Sequence, residues 1–110
     1  MLSIYNIGAN ILSFILMSPQ EIAQELAQRI KAKRLEQNLS QEGLSLRSGV
    51  SLGSIKRFEQ SGAISLKFLI ELTIALGCSN DFSDLFVKKQ PEGSLFYAKT
   101  PKQRKRGTIK

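Results

Sequence analysis

Lys56 and Arg57 stand side by side in a short run, residues 51–60, that also carries Ser51, Ser54 and Gln60. These side chains donate hydrogen bonds or carry positive charge. An arginine fork can hold two acceptors at once, a lysine supplies a mobile charge, and hydroxyls and amides add shorter contacts. Their chemistry is recognition rather than bond making. The rest of the chain offers no catalytic constellation: it has no histidine, so it has no Ser-His or Cys-His dyad and no HExxH zinc site. It also has no phosphate-cradling or dinucleotide-binding glycine pattern. Asp81 and Asp84 lie three apart on an expected helix face, where a surface carboxylate pair beside a cap is structural far more often than catalytic. Cys78 has no second cysteine with which to form a disulfide or share a metal, and reads as a small apolar residue at a helix end. Neither an enzyme nor a bound cofactor is expected, and a reducing cytoplasm fits the cysteine usage.

Two short helices must position the basic run. Ser40 is placed to cap the first, Ser48-Gly49 to end it with a left-handed backbone, and Ser51 to cap the second. Leu44, Val50, Ile55 and Phe58 are spaced to face one shared core, leaving Ser51, Leu52, Gly53, Lys56 and Arg57 outward.

Gln41 opening the first helix, the small residue Ser45 four places on, Gly49 in the turn and β-branched Ile55 in the second helix resemble the helix-turn-helix of Cro and phage-repressor (XRE-like) regulators. The resemblance covers about residues 18–86. It implies an all-α, five-helix fold and a transcriptional regulator of double-stranded DNA, with residues 52–60 lying in the major groove. Position by position, Arg57 would read guanine and Lys56 guanine or a phosphate, while Leu52 would meet a thymine methyl. Gln41 would anchor the DNA backbone, with hydroxyl contacts from Ser51 and Ser54, and Gln60, the last residue of the groove helix, would be among the DNA-binding residues. Ser45 replaces the usual alanine, and an i−4 carbonyl is the expected acceptor for its hydroxyl. Gly53 stands where the family often places a base-reading side chain. One such helix reads few base pairs, so a homodimer on two half-sites about 34 Å apart is implied. The fifth helix and residues 94–98 are where its interface would be sought. Residues 51–86 and a PKQRKRG run in the tail are also similar to HipB-like antitoxins. That subgroup would repress its own operon and bind a HipA-like kinase toxin.

The charge divides unevenly. Residues 1–87 hold eight basic and eight acidic side chains, whereas residues 88–110 hold eight basic against Glu92 alone, so the +7 excess lies entirely in the tail. Within the balanced part the cations crowd into residues 29–57, which gives one end of the domain a positive field suited to phosphates.

Three regions follow: an apolar N-terminal extension (1–17), a helix-turn-helix domain (18–87) and a basic C-terminal tail (88–110). The extension is shorter than the ~20 residues of a membrane helix and lacks the features of a secretory signal. Ile4, Ile7, Ile11 and Ile15 follow a helical spacing, so the extension is either an amphipathic docking helix or an upstream run of the reading frame. Ser18-Pro19-Gln20-Glu21 is a capping box that starts helix one, with Ile22, Ala23, Leu26, Ala27 and Ile30 on its apolar stripe and Arg29, Lys31, Lys33 and Arg34 in its second half. Asn38 closes it. Ser65 caps a fourth helix ending at Gly77, apolar enough to be nearly buried all round, and Asn80 caps a fifth through Phe86. Residues 94–98 read as a lone strand that needs a partner, either a second copy or the helices. Residues 100–110 are basic and low in complexity, with attraction to phosphates their expected use.

Overall fold

The computed structural model describes residues 14–88. The strand expected at 94–98, the basic tail and most of the apolar extension lie outside them. Among the described residues, after a helical turn at 14–16, four longer α-helices follow in order: α1 (Pro19–Glu36), α2 (Gln41–Ser48), α3 (Leu52–Ser61) and α4 (Leu66–Leu76), with a 3-10 helix at Ser79–Phe82. Among the described residues there is no strand.

Each α-helix starts at a serine. Ser18 accepts from the Glu21 amide at 3.1 Å while Glu21 Oε1 accepts from the Ser18 amide at 2.8 Å, closing the expected box ahead of Pro19. Ser40, Ser51 and Ser65 cap α2, α3 and α4 through the amides of Gly43, Ser54 and Phe68. Each such cap offsets one orphan donor and is worth about 1 kcal/mol. Glycines 49, 62 and 77 end α2, α3 and α4 at φ values of 79, 85 and 78°. Gly62 is needed on two counts, because a Cβ there would sit 2.8 Å from the Ala23 carbonyl carbon. Its bareness lets the end of α3 press on α1, and Gln20 Nε2 donates to the Ser61 carbonyl at 2.7 Å across the same contact. At the end of α1 the cap is Gln37, followed by Asn38 in the left-handed region at φ 57°.

The core consists of Ala27 and Ile30 from α1, Leu44 from α2, Val50 from the turn, Ile55 and Phe58 from α3, and Leu72 and Leu76 from α4. The four residues expected to share it, Leu44, Val50, Ile55 and Phe58, are all at or below 2 % exposure. At about 1.5–3 kcal/mol per large apolar side chain, these contacts rather than helix propensity hold three short helices together. Gln37 Nε2 adds a tie between ends, donating to the Leu76 carbonyl at 2.7 Å.

Three expectations are corrected. Helix α4 is not buried all round: Leu66 and Ile74 are 65 and 61 % exposed, because in a domain this small the other elements cover only one side of it. The expected fifth helix is present, but as a short 3-10 helix, Ser79–Phe82, that has no side-chain cap from Asn80 and ends before Phe86. Its amides bond three residues back, Asp81 to Cys78 and Ser83 to Asn80, and the chain turns out at Phe86, φ 63°. Ser79, Asn80, Asp81, Ser83 and Asp84 are residues whose side chains compete for backbone groups, and eight residues are too few to nucleate a helix against that. Finally, the Ser45 hydroxyl donates to the Val50 carbonyl at 2.6 Å rather than to a carbonyl four residues back, so it braces the turn instead of loosening α2.

Candidate nucleic-acid interface

Helix α3 presents the outward face of the domain with Gly53, Lys56, Arg57 and Gln60 all exposed, and Leu52 and Ser54 half-buried beside them. Leu52 is thus less outward than expected, with part of its side chain spent on packing. Among the described residues the Lys56 and Arg57 side chains have no ion-pair partner, whereas Arg29 and Arg34 do. The cations at 56 and 57 are therefore open to an external acceptor. Ser51 is committed to the cap: it accepts from the Ser54 amide at 3.1 Å and donates to Ser54 Oγ at 2.8 Å. Ser54, accepting that bond, keeps its own proton to donate outward.

Gly53 has no internal reason to be glycine. Nothing lies within 4 Å of a Cβ built there, and its backbone φ is not positive. Glycine inside a helix costs about 0.5–1 kcal/mol relative to alanine, so this position is bare toward the outside rather than toward the fold.

The angle of α3 is set by a buried ionic cluster not foreseen from the sequence. Arg34 Nε and Nη2 donate to the two Glu59 oxygens at 2.8 and 3.0 Å, and Arg34 Nη1 donates to the Leu39 carbonyl at 2.8 Å. The Gln41 amide Nε2 joins by donating to Glu59 Oε1 at 3.0 Å. The Arg34 and Glu59 side chains are only 7 and 6 % exposed. This fork pins α3 to α1 and α2 two residues after Arg57. Sequence reasoning counted Arg34 among the cations concentrated in the second half of helix one and placed Gln41 on the DNA backbone. The structure instead puts Arg34 inside and half-buries Gln41, its amide nitrogen engaged with Glu59. The available signal was the spacing of Arg34 on the same α1 face as buried Ala27 and Ile30, with Glu59 next to buried Phe58.

The remaining α1 cations separate as well. Arg29 pairs with Glu25 at 3.1 Å and lies 5.0 Å from the centre of the Phe14 ring. Lys33 borders an apolar groove with Leu26, Leu69, Cys78 and Phe82, on a different side from α3. Lys31 shares a recess with Gln41, Lys56, Glu59 and Gln60. Burial pushes the Cys78 thiol above its ordinary range, with Lys33 pulling part of the way back, so the protonated form is favoured. No group of three or more metal-ligating side chains gathers among the described residues.

The arrangement is two helices crossing at a glycine turn, the second exposing a basic face. Residues 30–81 match the family model described as helix-turn-helix. The match supports a DNA-binding helix-turn-helix of the Cro/repressor type over that segment. Comparison with curated proteins gives no match. The matched family is one of DNA-binding domains, not of enzymes. No helix among the described residues is long and apolar enough to cross a membrane.

Proposed function

We propose that the protein is a sequence-specific repressor that binds operator DNA of its own operon as a homodimer, with residues 52–60 lying in the major groove. The observation that carries this reading is the outer face of α3: Gly53 bare, Lys56 and Arg57 exposed without partners among the described residues, and Gln60 beside them. A helix whose buried side is packed to completion and whose open side is cationic fits a groove lined with acceptors. Arg57 is the base reader, its fork matched to guanine O6 and N7. Ser54 and Gln41, the latter through its remaining amide hydrogen, contact the phosphates, and Ser51 acts through the cap that orients Ser54.

Dimerisation has its support at the other end. Leu85, Phe86 and Val87 are 49, 96 and 56 % exposed, an apolar patch next to the groove formed by Leu26, Leu69 and Phe82. The same patch suits the second reading, a HipA-like kinase held by an antitoxin, which rests on the resemblance read in the sequence of residues 51–86 alone. A reducing cytoplasm, in association with the nucleoid, is the compartment that goes with either.

Selection from a randomised duplex library, followed by the same selection with Arg57→Ala, tests the reading. A defined motif is expected, with preference relaxed at one base pair per half-site and a cost of about 1–3 kcal/mol at that pair. An unchanged preference would remove Arg57 as the reader. Mass analysis of the complex recovered from the host separates a homodimer from an assembly with a kinase.

A further inference from the structure

Of the four cations in the second half of α1, three are accounted for. Arg29 is held by Glu25, Arg34 is buried on Glu59, and Lys33 borders the apolar groove away from α3. Lys31 differs. Its half-buried side chain opens into a recess of about 380 Å³ whose other walls are Gln41 at the start of α2 and Lys56, Glu59 and Gln60 on α3.

Glu59 is the single carboxylate in that wall, and both of its oxygens already accept from Arg34, one of them from Gln41 as well. With its charge matched by a buried guanidinium, the field in the recess is that of Lys31 and Lys56. Lys31 and Lys56, from different helices, thus line the same open recess, with Gln41 and Gln60 beside them. Lysine, a compact strongly hydrated point charge, suits a phosphodiester there better than the planar edge of a base. The place in the fold agrees: α1 packs against the flank of α3, so Lys31 stands beside the reading face rather than on it.

Resting on the DNA-binding reading above, we infer that Lys31 and Lys56 form a clamp for one backbone phosphate of the bound duplex. Lys56 therefore positions the helix and reads no base. The clamp fixes how far along the groove Arg57 reaches, and it recruits α1, which lies outside the two helices of the motif, to the interface.

The experiment titrates the full-length protein with a duplex selected from a randomised library and with a scrambled duplex of equal length, over a range of NaCl concentrations. Each phosphate contact contributes about 0.9 to the slope of log K against log salt. Removing either lysine opens the clamp on the one phosphate they share, so Lys31→Ala, Lys56→Ala and the double variant are each expected to lower that slope by about 0.9 per bound protomer and to weaken both duplexes by the same factor, leaving the preference between them intact. Lys67→Ala, on α4, should change neither quantity. Should Lys31→Ala melt early, Lys31→Gln replaces it, keeping the stem of the side chain while removing the charge. A wild-type slope in the Lys31 variant overturns the clamp and leaves the DNA reading standing, as does a Lys56→Ala loss confined to the selected duplex. A wild-type protein that binds neither duplex overturns the DNA reading itself, and the clamp with it.

Discussion

Glu59→Ala should be the most damaging single truncation on α3 outside the apolar core. The substitution removes three hydrogen bonds of 2.8, 3.0 and 3.0 Å and leaves the Arg34 guanidinium, 7 % exposed, without its counter-charge. Breaking a buried pair from one side costs about 3–5 kcal/mol. Arg34 keeps its bond to the Leu39 carbonyl at 2.8 Å, so the lower half of that range is expected. Against a total stability of about 5–15 kcal/mol for a natural domain, that is a large share. Urea unfolding followed by helical circular dichroism gives the number directly, with the midpoint falling and the slope unchanged. The double variant Arg34→Met, Glu59→Leu supplies the control. Replacing both charges with apolar groups of similar volume should recover most of the loss, because the cost lies in the stranded charge more than in the lost attraction. Two results would refute the reasoning: a Glu59→Ala protein within about 1 kcal/mol of wild type, or a double variant no more stable than the single.

The glycines separate two kinds of constraint. Gly49→Ala meets open space and carries only the left-handed backbone penalty, about 1–2 kcal/mol, whereas Gly62→Ala adds a clash with the Ala23 backbone at 2.8 Å and should lose a further ~1–3 kcal/mol. Thermal melts should rank wild type above Gly49→Ala and Gly49→Ala above Gly62→Ala; equal melting of the two variants would mean that α1 yields freely at Ala23. Gly53→Ala should raise stability by about 0.5–1 kcal/mol yet weaken DNA binding, because the added methyl stands between α3 and the groove. Unchanged affinity in a quantitative gel-shift titration would show that the backbone there does not approach the duplex closely.

Local punctuation was legible because it acts over three or four residues. Ser18, Ser40, Ser51 and Ser65 each cap the helix expected of them, and the glycines after α2 and α4 end them in the left-handed region. The shared core of Leu44, Val50, Ile55 and Phe58 followed from periodicity, since a helix must bury its apolar side. The outer face of α3 followed as the complement of that core, which is why Gly53, Lys56 and Arg57 were foreseen as exposed.

Where the reading failed, the deciding contact joined residues far apart in the chain. Arg34 and Glu59 are 25 positions apart, and although Arg34 shares the α1 face of Ala27 and Ile30, its partner is fixed only when α3 is folded against α1. The bond from Gln41 to Glu59 went unread for the same reason, since Glu59 belongs to another helix, 18 residues on. The exposed side of α4 depended on how few neighbours a domain of this size can supply, and composition alone does not report that number. The sequence by itself determined four helix starts, the glycine turn and the cationic face of α3, because caps, φ preferences and hydrophobic spacing are local properties of the chain. Tertiary structure decided which cations are left to meet DNA, because burial and ion pairing are properties of helices brought together.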